Sequence, residues 1–287
     1  MKQLGLFALV VLLAGCERGN FSPEGVEETS DSQGQLSKLL PPDAVIVGVT
    51  IAPDGKRYVL DQRSGLYEIQ ASSARLVLNS TGLGGVTLTD VVALDSWRFA
   101  VTAENDGALY DVRTGDLSSY FCYLPSPPTT PEPDPMGQGG GPPVVVAPLS
   151  ISQTLQLDGI AVSQKTESVA FNPNTRQLFA QPRTVRLDSG AVAGSELFVF
   201  EEAGGEPVRV VPMPGPAFVA GGMVVVPGDR LLLGAKNAVY ELIFDGQLIP
   251  LRELDAAVDI SGMTIDQNGD VWIVDGAARE LVKLGPL

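Results

Sequence analysis

Beyond about residue 45 the apolar residues come in short bursts of Val, Leu, Ile, Tyr and Phe, separated by Gly, Pro, Asn and Asp. No stripe of helical period lasts more than a turn or two, so the pattern predicts strands joined by tight turns.

The bursts recur as a unit. At the end of the chain the order is Gly262-Met263-Thr264-Ile265, a turn at Asp266-Gln267-Asn268-Gly269, Val271-Trp272-Ile273-Val274-Asp275, then Glu280 to Leu284. The same order stands at Val49-Thr50-Ile51, Ala52-Pro53-Asp54-Gly55, Tyr58-Val59-Leu60-Asp61 and Gly65 to Ile69. Weaker copies begin near Val91, Val169 and Met223. Their second strands start at Lys56, Trp97, Arg176, Asp229 and Asp270, in steps of 41, 79, 53 and 41 residues. A period of about 40 residues is the size of one four-stranded propeller blade. The step of 53 fits one unit plus a loop around Val185 to Ser195, and the step of 79 leaves Val144 to Val162 as a degraded sixth unit.

The expected fold is therefore all-β, a β-propeller of five to six four-stranded blades. Outer strands are expected at Arg75–Leu78, Tyr120-Phe121, Val208–Val211 and Leu248–Leu251. The last unit has none after Leu284, so a segment between Leu36 and Val47 is expected to pair into it. Pairing of N- and C-terminal strands would then close the ring and remove two sheet edges.

Two stretches break the pattern. Residues 17 to 38 are rich in Glu, Ser, Gly, Asp and Gln and read as a flexible tether. Residues 125–143 hold eight prolines and the run Gly139-Gly140-Gly141, an extended or disordered insertion in a domain spanning 39–287, or a linker between two halves of it.

The amino terminus has its own logic. Lys2 precedes an apolar run from Leu4 to Leu13, then Ala14-Gly15 and Cys16. At about ten residues the run is too short for a hydrocarbon core, which takes about 20. It reads as an export signal over residues 1–15. Leu13-Ala14-Gly15-Cys16 resembles the lipobox of bacterial lipoproteins. The resemblance implies cleavage after Gly15 and lipidation of Cys16, which begins the tether at 16–38 and holds the domain to a membrane. With Glu17 rather than aspartate next, it implies the outer membrane, facing the periplasm, within the cell envelope.

Residues 262 to 284 resemble an NHL repeat, within the group of six-bladed propellers that includes SMP-30/gluconolactonase-like proteins. The middle units carry Thr102, Gln181 and Gly234 where the pattern has its second aspartate. Enzymes of the SMP-30 type hold a divalent ion at the channel mouth with acids where inner strands begin. The comparable residues here are Asp90, Glu167 and Asp259, which would bind a cation such as Ca and activate water.

Asp266 to Asp270 spaces oxygens somewhat like a calcium loop, but Asn268-Gly269 is also the ordinary dipeptide of a hairpin turn. Cys122, the second of two cysteines, has no neighbouring cationic cluster and reads as a packed or idle thiol. Tyr67, Tyr110 and Tyr240 recur once per unit as blade packing.

Charge and composition narrow the function. A formal net charge of −15, from 34 acids against 19 Lys and Arg, speaks against nucleic acid as a partner. The chain has no histidine, which removes Ser-His-Asp and Cys-His sites and histidine-based zinc sites. The reading that follows is a membrane-anchored lipoprotein acting as a non-catalytic binding or scaffold propeller, without cofactor, for a protein or envelope partner. The alternative is a divalent-metal-dependent hydrolase, lactonase-like, at the channel mouth.

Overall fold

A computed structural model describes residues 35–83, 85–104, 109–113, 162–186, 192–202, 207–214 and 218–287. These residues form five antiparallel sheets, each a meander in chain order. The first holds β1 (Ile46–Ile51), β2 (Arg57–Asp61), β3 (Gly65–Ile69) and β4 (Ala74–Asn79). The second holds β5 (Leu88–Ala93), β6 (Arg98–Ala103) and β7 (Leu109–Arg113). The third holds β8 (Val162–Asn172), β9 (Gln177–Arg186), β10 (Val192–Glu201) and β11 (Arg209–Pro212). The fourth runs through β12 (Gly222–Val226), β13 (Arg230–Ala235), β14 (Ala238–Ile243) and β15 (Gln247–Glu253). The fifth comprises β16 (Ile260–Ile265), β17 (Val271–Asp275) and β18 (Glu280–Gly285).

The first strands of successive sheets are neighbours, β1 with β5, β5 with β8, β8 with β12 and β12 with β16, and β16 returns to β1. The arrangement is propeller-like, and its core is divided among the seams between sheets. Leu66, Leu78, Val91 and Phe99 fill the seam between the first and second sheets. Ala100, Val169 and Phe200 fill the next, Leu197, Met223 and Leu233 the third, and Leu232, Met263 and Ile273 the fourth. Val49, Tyr67, Trp272 and Leu281 close the series between the last sheet and the first. A sheet covered on both faces needs apolar residues at consecutive positions. That is why Leu231-Leu232-Leu233 and Val271 to Val274 read as unbroken runs.

Three features differ from the expectation. The segment before β1 is not a strand: Gln35 makes one bridge to Glu280, Leu36–Lys38 form a 3-10 turn, and Pro41-Pro42 follow. The chain turns out of the ladder at Leu36, Pro41 and Pro42 cannot donate to one further on, and the last sheet has three strands among the described residues. Leu36 is fully buried, so the domain takes in residues that composition assigns to the tether. The expected loop around Val185 to Ser195 is largely strand, since β9 runs to Arg186 and β10 begins at Val192. The expected outer strand at Tyr120-Phe121, the tyrosine side chain at 110, residues 125–143 and almost all of Val144 to Val162 lie outside the described residues.

Candidate functional site

Where the first strands meet, each strand has a position that fixes how closely its neighbour can approach. A bulge before that position recurs in β1, β5, β8 and β16. The residues there are Gly48, Asp90, Ser168 and Gly262, and Gly222 pairs likewise in β12.

Three of these five are glycines for a steric reason. A Cβ on Gly222 would stand 2.5 Å from the Met263 nitrogen, and one on Gly262 would stand 2.8 Å from the Val49 nitrogen. One on Gly48 would stand 2.7 Å from Asp90 Oδ1. Backbone therefore lies against backbone from the fourth sheet to the first, and side chains take over at the second and third.

Asp90 is the centre of that second part. It is 2% exposed. Its Oδ1 accepts the Val91 N–H at 2.8 Å and its Oδ2 accepts the Val169 N–H of the next sheet at 2.9 Å. Burial pushes its carboxyl well above the usual carboxylate range, while the N–H groups of Val169 and Val91 pull the other way. Around it Thr89 Oγ1 donates to the Thr166 carbonyl at 2.5 Å, and Ser168 Oγ donates to the Ala220 carbonyl. Gln181 joins the third sheet to the approach of the fourth. Its Nε2 donates to the Phe218 carbonyl at 2.9 Å, and its Oε1 accepts the Ala220 N–H at 2.9 Å.

Chemically this is a closed polar belt. Both oxygens of its carboxyl, two hydroxyls and an amide are committed to backbone partners.

The other candidates are placed elsewhere. Glu167 is half-buried at the bulge of β8, and Asp259 is exposed ahead of β16, its N–H donating to Asp275 Oδ1 at 3.2 Å. Among the described residues no three acids or cysteines are gathered as a metal would require. Asp266 serves its own turn: Oδ1 accepts the N–H groups of Asn268 and Asp270, and Oδ2 accepts the Trp272 indole at 3.0 Å. Cys16 and Cys122 lie outside the described residues.

The paired aspartates of the repeat turn out to hold the chain in place. Asp61 accepts the Val45 N–H at 2.7 Å and the Ser64 N–H at 2.9 Å. Asp275 accepts from Ala277 and Ala278 as well as Asp259. By pairing register the residue matching Asp61 in the second sheet is Ala103, one beyond Thr102, because Asp90 rather than Leu88 faces Thr102.

Reasoning from sequence flagged Asp90 but missed Gly48, Gly222 and Gly262. The signal was present, since Gly48 and Gly262 hold the same place in the two best-matched units.

No family model and no curated protein matches the sequence. Solved structures do match its fold. One is a luciferin-regenerating enzyme at 13% identity, covering 88% of this chain and 75% of that one, with a TM-score of 0.50. A gluconolactonase from Xanthomonas campestris is 16% identical over 85% of this chain and 74% of its own, with a TM-score of 0.47. A streptogramin B lyase is 10% identical over 86% and 95%, with a TM-score of 0.46. At such identities the likeness is one of fold, and the fold is a β-propeller.

Proposed function

We propose that this chain is a lipoprotein anchored through Cys16 to the outer membrane and facing the periplasm. Its propeller, of five to six blades, acts as a non-catalytic binding module for a protein or envelope partner. The observation that carries the reading is the commitment of Asp90, Thr89, Ser168 and Gln181 to backbone groups of neighbouring sheets. A hydrolytic centre needs acids free to hold a cation or move a proton. The absence of histidine and the lipobox-like start support the same reading.

Two measurements test it. Mass spectrometry of the mature amino terminus should find an acylated Cys16, and Cys16→Ser should move the protein from the membrane to the soluble fraction; an unmodified mature protein ends the anchor reading. Metal analysis of the purified domain should find no stoichiometric divalent ion. Tight Ca, Mn or Zn, lost on substitution of Asp90, Glu167 or Asp259, would replace the binding reading with that of a metal-dependent hydrolase.

A further inference from the structure

The segment between the tether and β1 is a strap across the seam between the last and first sheets. After the bridge from Gln35 to Glu280, Leu36 and Leu40 enter the cluster that holds Tyr67, Trp272 and Leu281. The Arg279 guanidinium donates to the Pro42 carbonyl at 2.9 Å through Nη1 and to the Pro41 carbonyl at 2.7 Å through Nη2. Pro41 and Pro42 have no N–H to continue a ladder, and Arg279 takes up the carbonyls they present.

The strap is separable from the ring beneath it. Downstream, the bond from Val45 to Asp61 fixes the chain whatever the strap does. Underneath, the last and first sheets are joined without it. Gly262 lies against Gly48 and Val49, Thr264 Oγ1 accepts the Ile51 N–H at 3.0 Å, and Gln267 Nε2 donates to the Pro53 carbonyl at 2.5 Å. Among the described residues the strap as far as Ala44 pairs with β18 through that one bridge, and its other backbone bonds are local, as from Leu40 to Leu36 and from Ala44 to Pro41. Arg279 itself has φ 58, a left-handed conformation that costs a non-glycine residue, and among the described residues its buried Nε meets no hydrogen-bond partner.

We infer that the strap is exchangeable: the slot lined by Tyr67, Trp272 and Leu281 is a docking site occupied in cis by Leu36 and Leu40. It accepts in trans a partner segment that makes the same single turn, with two leucines four residues apart, followed by carbonyls for Arg279. The strap itself, seated in the slot, is what says which chemistry fits. This deepens the binding reading and rests on it for its use in the cell.

The test uses the full chain with Leu36→Ser and Leu40→Ser together, and a synthetic peptide of residues 35–45. Amide exchange in β18 should quicken on the order of tenfold or more while β2 is unchanged, as for a local opening. The peptide should restore protection saturably, and the same peptide with serine at both leucine positions should not. Faster exchange throughout the molecule, unchanged β18, or no rescue by the peptide would each overturn the inference. Should the double variant fail to fold, Leu40→Ser alone, which leaves Leu36 and the slot with its Arg279 intact, is judged by the same β18 exchange and peptide rescue. Rescue in a chain that proves unlipidated leaves the slot standing and removes only the anchor.

Discussion

Asp90 shows how burial redirects a carboxyl. Its acceptors meet the N–H groups of Val91 and Val169, so truncation leaves two buried donors without partners and a void beside Gly48. Asp90→Ala should therefore destabilise the chain by about 3 kcal/mol, read from the urea midpoint. The pH dependence follows from the same environment. The folded value lies above the unfolded one, so the stabilisation tied to its proton is complete below the unfolded value and is lost as pH rises through the folded one. Thermal unfolding from mildly acidic to alkaline pH should show a steeper fall for the wild type than for Asp90→Asn, and equal slopes would remove Asp90 as the cause.

At the scale of elements, the first strands are packed by glycine and the turns by aspartate. Gly262→Ala would bring a Cβ within 2.8 Å of the Val49 nitrogen, against backbone that cannot step aside. A loss of about 2–3 kcal/mol is expected. Gly269→Ala has open space but a φ of 84, and should lose about 1 kcal/mol. A denaturation series on the two variants checks the order, and equal effects would mean that the seam can spread. Asp61 bonds residues on both sides of β2, which makes it a clamp on the chain before β1 rather than a ligand.

Across the whole molecule every seam has its own polar tie. Thr50 Oγ1 accepts the Ala93 N–H between the first two sheets. Glu202 stands between Arg98 and Arg176 at the next seam. Asn172 and Asn174 donate to Asp229 between the third and fourth sheets. Arg230 reaches the Leu287 carbonyl between the fourth and fifth. Such ties fix the angle between sheets whose apolar contacts are not directional. Glu202→Gln, at a partly exposed site, should cost about 1 kcal/mol at low salt and less at high salt. Thermal melts at two ionic strengths check this, and a salt-independent loss would mean that packing, not charge, is involved.

The alternation of apolar bursts with turn residues was enough to determine strands, their order and the forty-residue recurrence, because these depend on neighbours within a few positions. The outer strands at Arg75–Leu78, Val208–Val211 and Leu248–Leu251 were legible for the same reason. What Asp90 does was not, since its partner Val169 lies 79 residues away in the chain and meets it only once the sheets are assembled. The strap reads as a strand in the sequence because its leucines suit either conformation. The two prolines and a guanidinium contributed by Arg279, more than 200 residues downstream, decide between them, and that meeting exists only in the tertiary structure.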